Sequence, residues 1–184
     1  RIIRRGKIVV NYSQGFNPHP LMYFSPPLSL GVSSRAEYLT LDCDMQKEEV
    51  FEKFNGAVPD DLKAGKVFAS EKNPNLQAKV VCADFAFNTP YKPIDVDGKF
   101  EISYQKKGET VTENVADKIY SFFEKDGKLV ARLASGSVNL RPDRILDKLN
   151  SALGVDLKLC DIEKIAQYVD VDGKLVDVDE YLQK

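Results

Sequence analysis

The residue types best suited to chemistry lie together in one nine-residue stretch, Tyr12-Ser13-Gln14-Gly15-Phe16-Asn17-Pro18-His19-Pro20. His19 is the only histidine of the chain, and histidine is the side chain that exchanges protons most readily near neutral pH. As a general base it would need a nucleophile and an orienting group, and the loop offers these as hydroxyls or amides on Tyr12, Ser13, Gln14 and Asn17. Polar groups around a lone histidine are also common in purely structural loops. Catalysis, binding and structural hydrogen bonding therefore all remain open for His19.

The prolines define the local shape of this stretch. Pro18 and Pro20 lack a backbone donor and hold φ near −65°, which excludes both a helix and a central strand. We predict a rigid, exposed loop, and loops of this kind often carry binding sites. Phe16 is expected to point outward or onto a partner, whereas Tyr23 and Phe24 are expected to fill the core beneath.

Positive charge is concentrated at the start of the chain. Residues 1–36 contain five basic residues and no acidic one, although the whole chain has 26 basic and 28 acidic residues and a net charge of −2. Arg4 and Arg5, with Lys7, could contact phosphate groups while Tyr12 and Phe16 stack on bases. The overall charge argues against indiscriminate nucleic-acid binding. The local charge is consistent with an anionic partner such as RNA.

A second candidate site precedes the clearest helix signal. Ser137 and Arg141 lie just before a helix predicted over residues 142–153, and free amides at its start could hold a phosphate or carboxylate. The glycine spacing and lysine of a P-loop are missing, so nucleotide hydrolysis is not indicated. An ordinary loop-to-helix junction is the alternative.

No cofactor, metal site or membrane segment is predicted. Cys43, Cys82 and Cys160 are far apart in sequence, without a close cysteine pair or a neighbouring histidine, which argues against zinc and iron–sulfur sites. Two identical Asp-Val-Asp-Gly-Lys pentapeptides, at 95–99 and 170–174, have hairpin-turn spacing and not that of a calcium loop. No apolar run reaches the roughly 18 residues of a membrane helix, and we expect a cytoplasmic protein.

The order of predicted elements indicates an α+β fold. Strands are predicted at 7–12, 36–43, 65–70, 76–87, 100–104 and 157–169, a helix at 46–57 capped by Asp44, and a hairpin at Asp126-Gly127. These elements suggest two tandem ferredoxin-like (βαββαβ) units over residues 1–72 and 73–184, each incomplete. In this interpretation the first unit lacks its opening strand and the second lacks its first crossover helix. A single mixed α+β sheet is the alternative.

Several blocks resemble the radical-SAM-linked domain of unknown function, a bacterial family encoded beside, or fused to, B12-binding radical SAM proteins. They are Arg4-Arg5-Gly6, the whole Tyr12–Pro20 stretch, Phe24-Ser25-Pro26-Pro27-Leu28, Leu30-Gly31-Val32, Glu37-Tyr38-Leu39, Lys107-Gly108 and Arg141-Pro142-Asp143. The resemblance implies a radical SAM protein as partner and no established activity. The chain departs from it in lacking a strand and a histidine-containing turn before Arg4, and a helix after Phe87. It also has no radical SAM cysteine triplet, so any radical would come from the partner.

Three functional hypotheses follow. The first is a non-catalytic accessory domain that binds a substrate, with RNA as a candidate, and presents it to a radical SAM partner. The second is an RNA-processing or RNA-modifying enzyme in which His19 acts as acid or base, by analogy with other tandem ferredoxin-like proteins. The third is a structural module whose loop packs against another protein.

Overall fold

The computed structural model describes residues 1–106 and 108–183, so Lys107 of the Lys107-Gly108 pair lies outside it. The helices are α1 (Ile2–Arg5), α2 (Lys47–Asn55), α3 (Leu76–Lys79), α4 (Pro142–Leu153) and α5 (Val178–Leu182). The strands are β1 (Met22–Phe24), β2 (Ser33–Ser34), β3 (Leu39–Leu41), β4 (Val80–Pro90), β5 (Glu101–Lys106), β6 (Glu109–Asn114), β7 (Ile119–Lys125), β8 (Lys128–Ala134), β9 (Ile162–Val171) and β10 (Lys174–Asp177). Among the described helices, none is long and apolar enough to cross a membrane.

A six-stranded sheet forms the centre of the molecule. Its order is β10-β9-β4-β8-β7, with all these neighbours antiparallel, and β2 pairs with β9 in parallel. Successive side chains on a strand point to opposite faces, so Phe85 and Phe87 of β4 face one side and Asp84 the other. The α+β class is therefore confirmed.

The main core lies between this sheet and α4. As predicted, the helix spans 142–153, with proline in its first turn and Gly154 ending it at a φ of +69°. Ile145 and Leu149, both completely buried, pack with Phe87 and Leu129 of the sheet. A separate hairpin of β5 and β6 contributes Phe100, Ile102 and adjacent residues to the same core.

Two of the three predicted hairpin turns are confirmed, whereas the turn within residues 95–99 joins no hairpin, because β4 pairs with β8 and β9 and β5 pairs with β6. Asp126 and Gly127, which join β7 to β8, have φ angles of +51° and +75°. Asp172 and Gly173, which join β9 to β10, have φ angles of +53° and +78°. Positive φ at both central positions matches the right-handed twist of the flanking strands, which explains why the Asp-Gly pair specifies these turns.

Residues before 80 differ most from expectation. Residues 7–12 form no strand beyond an isolated bridge at Tyr12, and residues 65–70 form none either. Both segments lack a ladder partner, and a strand cannot form without one. Residues 76–79 are helical instead of extended, and α2 begins after Gln46, not Asp44.

The tandem ferredoxin-like arrangement is not confirmed. Within residues 1–72 the strands are short: β1 and β3 form a two-stranded ladder, while β2 joins the central sheet. The segment between them is tied to β9, because Gln167 donates to the hydroxyl of Ser25 and to the carbonyl of Ala36. The boundary between residues 72 and 73 stays a prediction.

The three thiols provide a test of the buried position of β4. Cys82 in β4 is completely buried, Cys43 is partly buried and Cys160 is exposed. Burial raises the pKa of the Cys82 thiol to about 12. We expect iodoacetamide at pH 8 to label Cys160 first and to leave Cys82 unmodified until the chain unfolds, as followed by mass spectrometry. Early labelling of Cys82 would contradict this placement.

The same raised pKa has a consequence for stability. A thiol in the unfolded chain ionises near pH 8.5, whereas Cys82 in the folded chain keeps its proton to about pH 12. The unfolded state therefore loses this proton first as the pH rises. The contribution of Cys82 to the free energy of unfolding is fully present below about pH 8.5 and declines above it. Replacing Cys82 by alanine should make the stability curve flatter between pH 8.5 and 11.

Candidate functional site

The Ser13–His19 loop, residues 13–19, is closed at its base by backbone pairing. Tyr12 and Pro20 form an isolated antiparallel bridge, and the Ser13 amide donates to the His19 carbonyl over 2.9 Å. Just outside the Tyr12–Pro20 bridge, on the side away from the loop tip, the Leu21 amide donates to the Asn11 carbonyl over 2.8 Å. Pro18 and Pro20 have no backbone N–H group, so this exposed segment offers fewer donors for pairing with another strand. The loop thus leaves and re-enters the fold at one point.

Asp42, just after β3, fixes the base of this loop. The Asn11 amide donates to the Asp42 carbonyl over 2.8 Å, and the Asp42 amide donates to the carbonyl of Leu21 over 3.0 Å. The side chains repeat the connection, because Asn11 Nδ2 donates to Asp42 Oδ1 over 2.8 Å. Both ends of the loop are therefore held by one residue, which limits how far the loop can pivot.

Ser13 and His19 are hydrogen-bonded to each other across the base of the loop. The distance between Ser13 Oγ and His19 Nδ1 is 2.8 Å, and the same Oγ accepts the backbone amide of His19 over 3.1 Å. In the tautomer with its proton on Nε2, His19 accepts a hydrogen bond from the Ser13 hydroxyl at Nδ1. A hydroxyl beside an imidazole can serve as a nucleophile with its base, or can set the orientation of the ring.

Phe16 at the tip of the loop is fully exposed. Gln14, Asn17 and His19 are exposed as well, and Tyr12 at the base is 56% exposed. An aromatic side chain left entirely in water gains nothing from folding, since burial of its apolar area is what stabilises a fold. The expectation that Phe16 points outward agrees with these exposures.

The prediction that Phe24 fills the core is wrong. The Phe24 side chain is 62% exposed, whereas Tyr23 is partly buried. The reason is that β1 pairs only with β3, so one face of this short ladder presents Phe24 to solvent. Phe24 adds apolar surface to the region that follows the loop.

The loop belongs to a long uncharged segment. Residues 8–34 contain no aspartate, glutamate, lysine or arginine. This segment nevertheless contributes five exposed large hydrophobic side chains, those of Val9, Tyr12, Phe16, Phe24 and Leu30. Depletion of charge with enrichment of aromatic residues is typical of the central part of protein–protein interfaces.

The structure places Arg4 and Arg5 around a different feature. Together with Arg1 they line an open depression at α1. Arg5 also donates from Nη2 to the carbonyl of Ala57, just beyond the end of α2. This contact directs Arg5 to α2 and not to the loop. The joint site that the sequence predicts for these arginines and the aromatic loop stays a prediction.

Arg141 and Ser137 lie at the start of α4 as expected, but the arginine already has an anionic partner. Arg141 Nη2 contacts Asp143 Oδ2 at 2.5 Å, and Ser137 is exposed. Gly136 between the strand and the helix has a φ of +131°, and a Cβ there would lie 2.3 Å from the Val80 carbonyl oxygen. The glycine is needed for a close chain crossing. Anion binding by Arg141 and Ser137 stays a prediction and would require displacing Asp143.

A charged cluster on the sheet face opposite α4 was not found from the sequence. Asp84 is 1% exposed and accepts Arg132 Nε at 2.7 Å and Nη2 at 2.9 Å. The Tyr168 hydroxyl donates to Asp84 Oδ2 over 2.7 Å, and the Arg132 guanidinium stacks 4.1 Å from the centre of the Tyr168 ring. Hydrogen bonding to Asp84 raises the pKa of Arg132, and burial is the main cause of the raised pKa of Tyr168. Every oxygen of the carboxylate is used internally, so the cluster stabilises the sheet.

Among the described residues, no group of three or more histidine, cysteine, aspartate and glutamate side chains is placed to hold a metal ion.

Comparison with known proteins identifies one family. A family model described as an uncharacterized protein conserved in bacteria (DUF2344) matches residues 1–141, which include α1, the Ser13–His19 loop and β4 to β8. Comparison with the curated proteins and with the solved structures finds no match.

Proposed function

The chain belongs to this bacterial family of uncharacterized proteins, and on that premise we propose that it is a non-catalytic accessory domain that binds a substrate and presents it to a partner enzyme. The observation that carries the proposal is the fully exposed Phe16 at the tip of a loop whose two ends are fixed together. A side chain held ready in a fixed loop loses little conformational freedom on binding, which favours its use as a contact.

The partner we propose is a radical SAM enzyme. Support comes from the sequence blocks around Tyr12–Pro20 that resemble the radical-SAM-linked domain. In this proposal the partner enzyme generates the radical, and this chain provides the surface that contacts the partner and the substrate. The uncharged segment around the loop suits a protein partner, because charged side chains are costly to bury in the centre of an interface.

The substrate class we propose is RNA. Its support is the combination of exposed aromatic rings on the loop with three arginines on α1. Aromatic side chains stack on unpaired bases and arginines contact phosphates, which is how proteins commonly bind single-stranded RNA.

Binding of a purified radical SAM protein, the proposed class of partner, tests the proposal. We expect Phe16→Ala to weaken that complex tenfold or more, since a central aromatic anchor typically contributes at least about 2 kcal/mol. Tyr120→Ala is the matched control, because Tyr120 is an aromatic residue in β7 that is 49% exposed. Affinities are measured by biolayer interferometry. Equal binding by both variants and the unchanged chain would exclude the loop as the contact.

A second function is favoured by one observation, the 2.8 Å contact between Ser13 and His19. In this alternative the chain processes RNA, with His19 as acid or base. His19→Ala would then abolish RNA cleavage or modification while RNA binding persists. Turnover that survives in His19→Ala would eliminate this alternative.

We also propose that β4, β7, β8, α4 and β9 are a modified ferredoxin-like unit. In support, the strands occur in the spatial order β9-β4-β8-β7 with α4 connecting β8 to β9. The β5–β6 hairpin takes the place of the first crossover helix.

A cytoplasmic location is part of the proposal and suits three free cysteines, which stay reduced there.

A further inference from the structure

Three arginines lie on one side of α1. Arg1, Arg4 and Arg5 are spaced at i, i+3 and i+4, so their side chains share one face of the helical turn, and they line one open depression. In the part of the chain that the structure describes, no ion pair involves any of the three. The first acidic residue in sequence is Glu37. This surface, the arginine face, is therefore positive without an internal counter-charge.

The arginine face is unfavourable for the helix that carries it. Like charges at i, i+3 and i+4 repel, and a helix of four residues is too short to be stable by itself. Arg5 is tied to the fold, because its guanidinium donates to the carbonyl of Ala57. Among the described residues, the guanidinium groups of Arg1 and Arg4 have no comparable partner, and both side chains are exposed. A bound anion would relieve the repulsion between them, and arginine is well shaped for phosphate oxygens.

We propose that the arginine face binds phosphate groups of a single-stranded RNA whose bases stack on Tyr12, which leaves Phe16 for the partner enzyme. The inference rests on RNA as the substrate in the proposed function. Eight peptide units separate Arg4 of the arginine face from Tyr12, so the Cα atoms of these two residues lie at most about 29 Å apart. One strand of a few nucleotides can reach both. The neutral loop then provides stacking, and the arginine face provides the electrostatic attraction.

The dependence of RNA affinity on salt distinguishes these two contributions. The probe is a fluorescent 12-nucleotide oligouridine, titrated by anisotropy at several KCl concentrations. Each phosphate neutralised in a single strand contributes about 0.7 to the slope of log affinity against log salt. We expect Arg1→Gln/Arg4→Gln to reduce that slope by about 1.4, because two phosphate contacts are lost. Tyr12→Ala should weaken binding about tenfold at every salt concentration and leave the slope unchanged.

A second double variant controls for net charge. Arg35→Gln/Lys63→Gln also removes two positive charges, from a formal −2 to −4, but both side chains are paired, Arg35 with Glu163 and Lys63 with Asp60. We expect it to keep the slope of the unchanged chain. The inference is overturned if both double variants reduce the slope equally, or if Arg1→Gln/Arg4→Gln leaves it unchanged. It is also overturned if the arginine face binds anionic vesicles and not the oligouridine.

The outcomes separate this inference from the proposed function. If the chain binds no oligouridine at low salt while Phe16 still controls capture of the partner enzyme, RNA binding by the arginine face is wrong and the accessory role stands. If Phe16→Ala leaves capture unchanged while Arg1→Gln/Arg4→Gln reduces the slope, the arginine face binds RNA and the accessory role is wrong.

Discussion

Replacing Arg132 by methionine is expected to lower the free energy of unfolding by about 3–5 kcal/mol, because it leaves the Asp84 carboxylate buried without its cation. Asp84 is 1% exposed, and Arg132 supplies two of the three hydrogen bonds that its oxygens accept. The loss is large beside the 5–15 kcal/mol that typically separates folded from unfolded domains. Urea denaturation followed by circular dichroism measures it.

Two further variants show whether the buried charge is the cause. Arg141→Met removes an arginine that is paired with Asp143 at 2.5 Å but whose side chain is half exposed, and should cost less than about 1 kcal/mol. In Asp84→Leu/Arg132→Met both charges are replaced by apolar groups, and we expect most of the lost stability to return. If the double variant is less stable than Arg132→Met, packing and not charge explains the loss.

The elements predicted well are those whose signals are local. The α4 helix has its proline, apolar face and closing glycine within 13 residues, and its observed bounds match. The Asp126-Gly127 and Asp172-Gly173 turns are set by two residues each. The β5–β6 hairpin shows where local reasoning fails: its pairing joins Glu101 to Asn114 across residues whose periodicity is weak. Its position over the core depends on contacts distant in sequence.

In the candidate site, too, the features with local sequence signals were predicted and those that depend on distant residues were not. The position and exposure of the Ser13–His19 loop follow from prolines and aromatics adjacent in sequence. The attachment of Arg5 to the end of α2 does not, because it is a contact with Ala57, 52 residues away. The pairing of Asp84 with Arg132 joins residues 48 apart. A sequence signal for it exists, since each is a single charged residue in the middle of an apolar strand, and buried charges need partners.

The second large effect is expected at the junction between the loop region and the central sheet. Lys164 in β9 has a side chain that is 1% exposed, and its Nζ lies 2.6 Å from Glu37 and 3.2 Å from the carbonyl oxygen of Pro26. Glu37 is 44% exposed and also accepts the Ser34 hydroxyl at 2.8 Å. Both acceptors of Lys164 come from the segment that follows β1. This lysine therefore links the region carrying the loop to the sheet.

The unequal burial of the two partners predicts unequal costs. Glu37→Ala leaves a buried ammonium without its carboxylate and should cost about 3 kcal/mol. Lys164→Met removes the buried charge while Glu37 turns to water, so its main cost is the carbonyl of Pro26 that loses its donor, about 1 kcal/mol. Urea denaturation gives both values, and Glu37→Ala/Lys164→Met should be more stable than Glu37→Ala alone. Arg35→Ala breaks the exposed pair with Glu163 at 3.5 Å and should cost less than about 1 kcal/mol. A Glu37→Ala variant no less stable than Arg35→Ala would show that the Lys164 contact does not hold this region to the sheet.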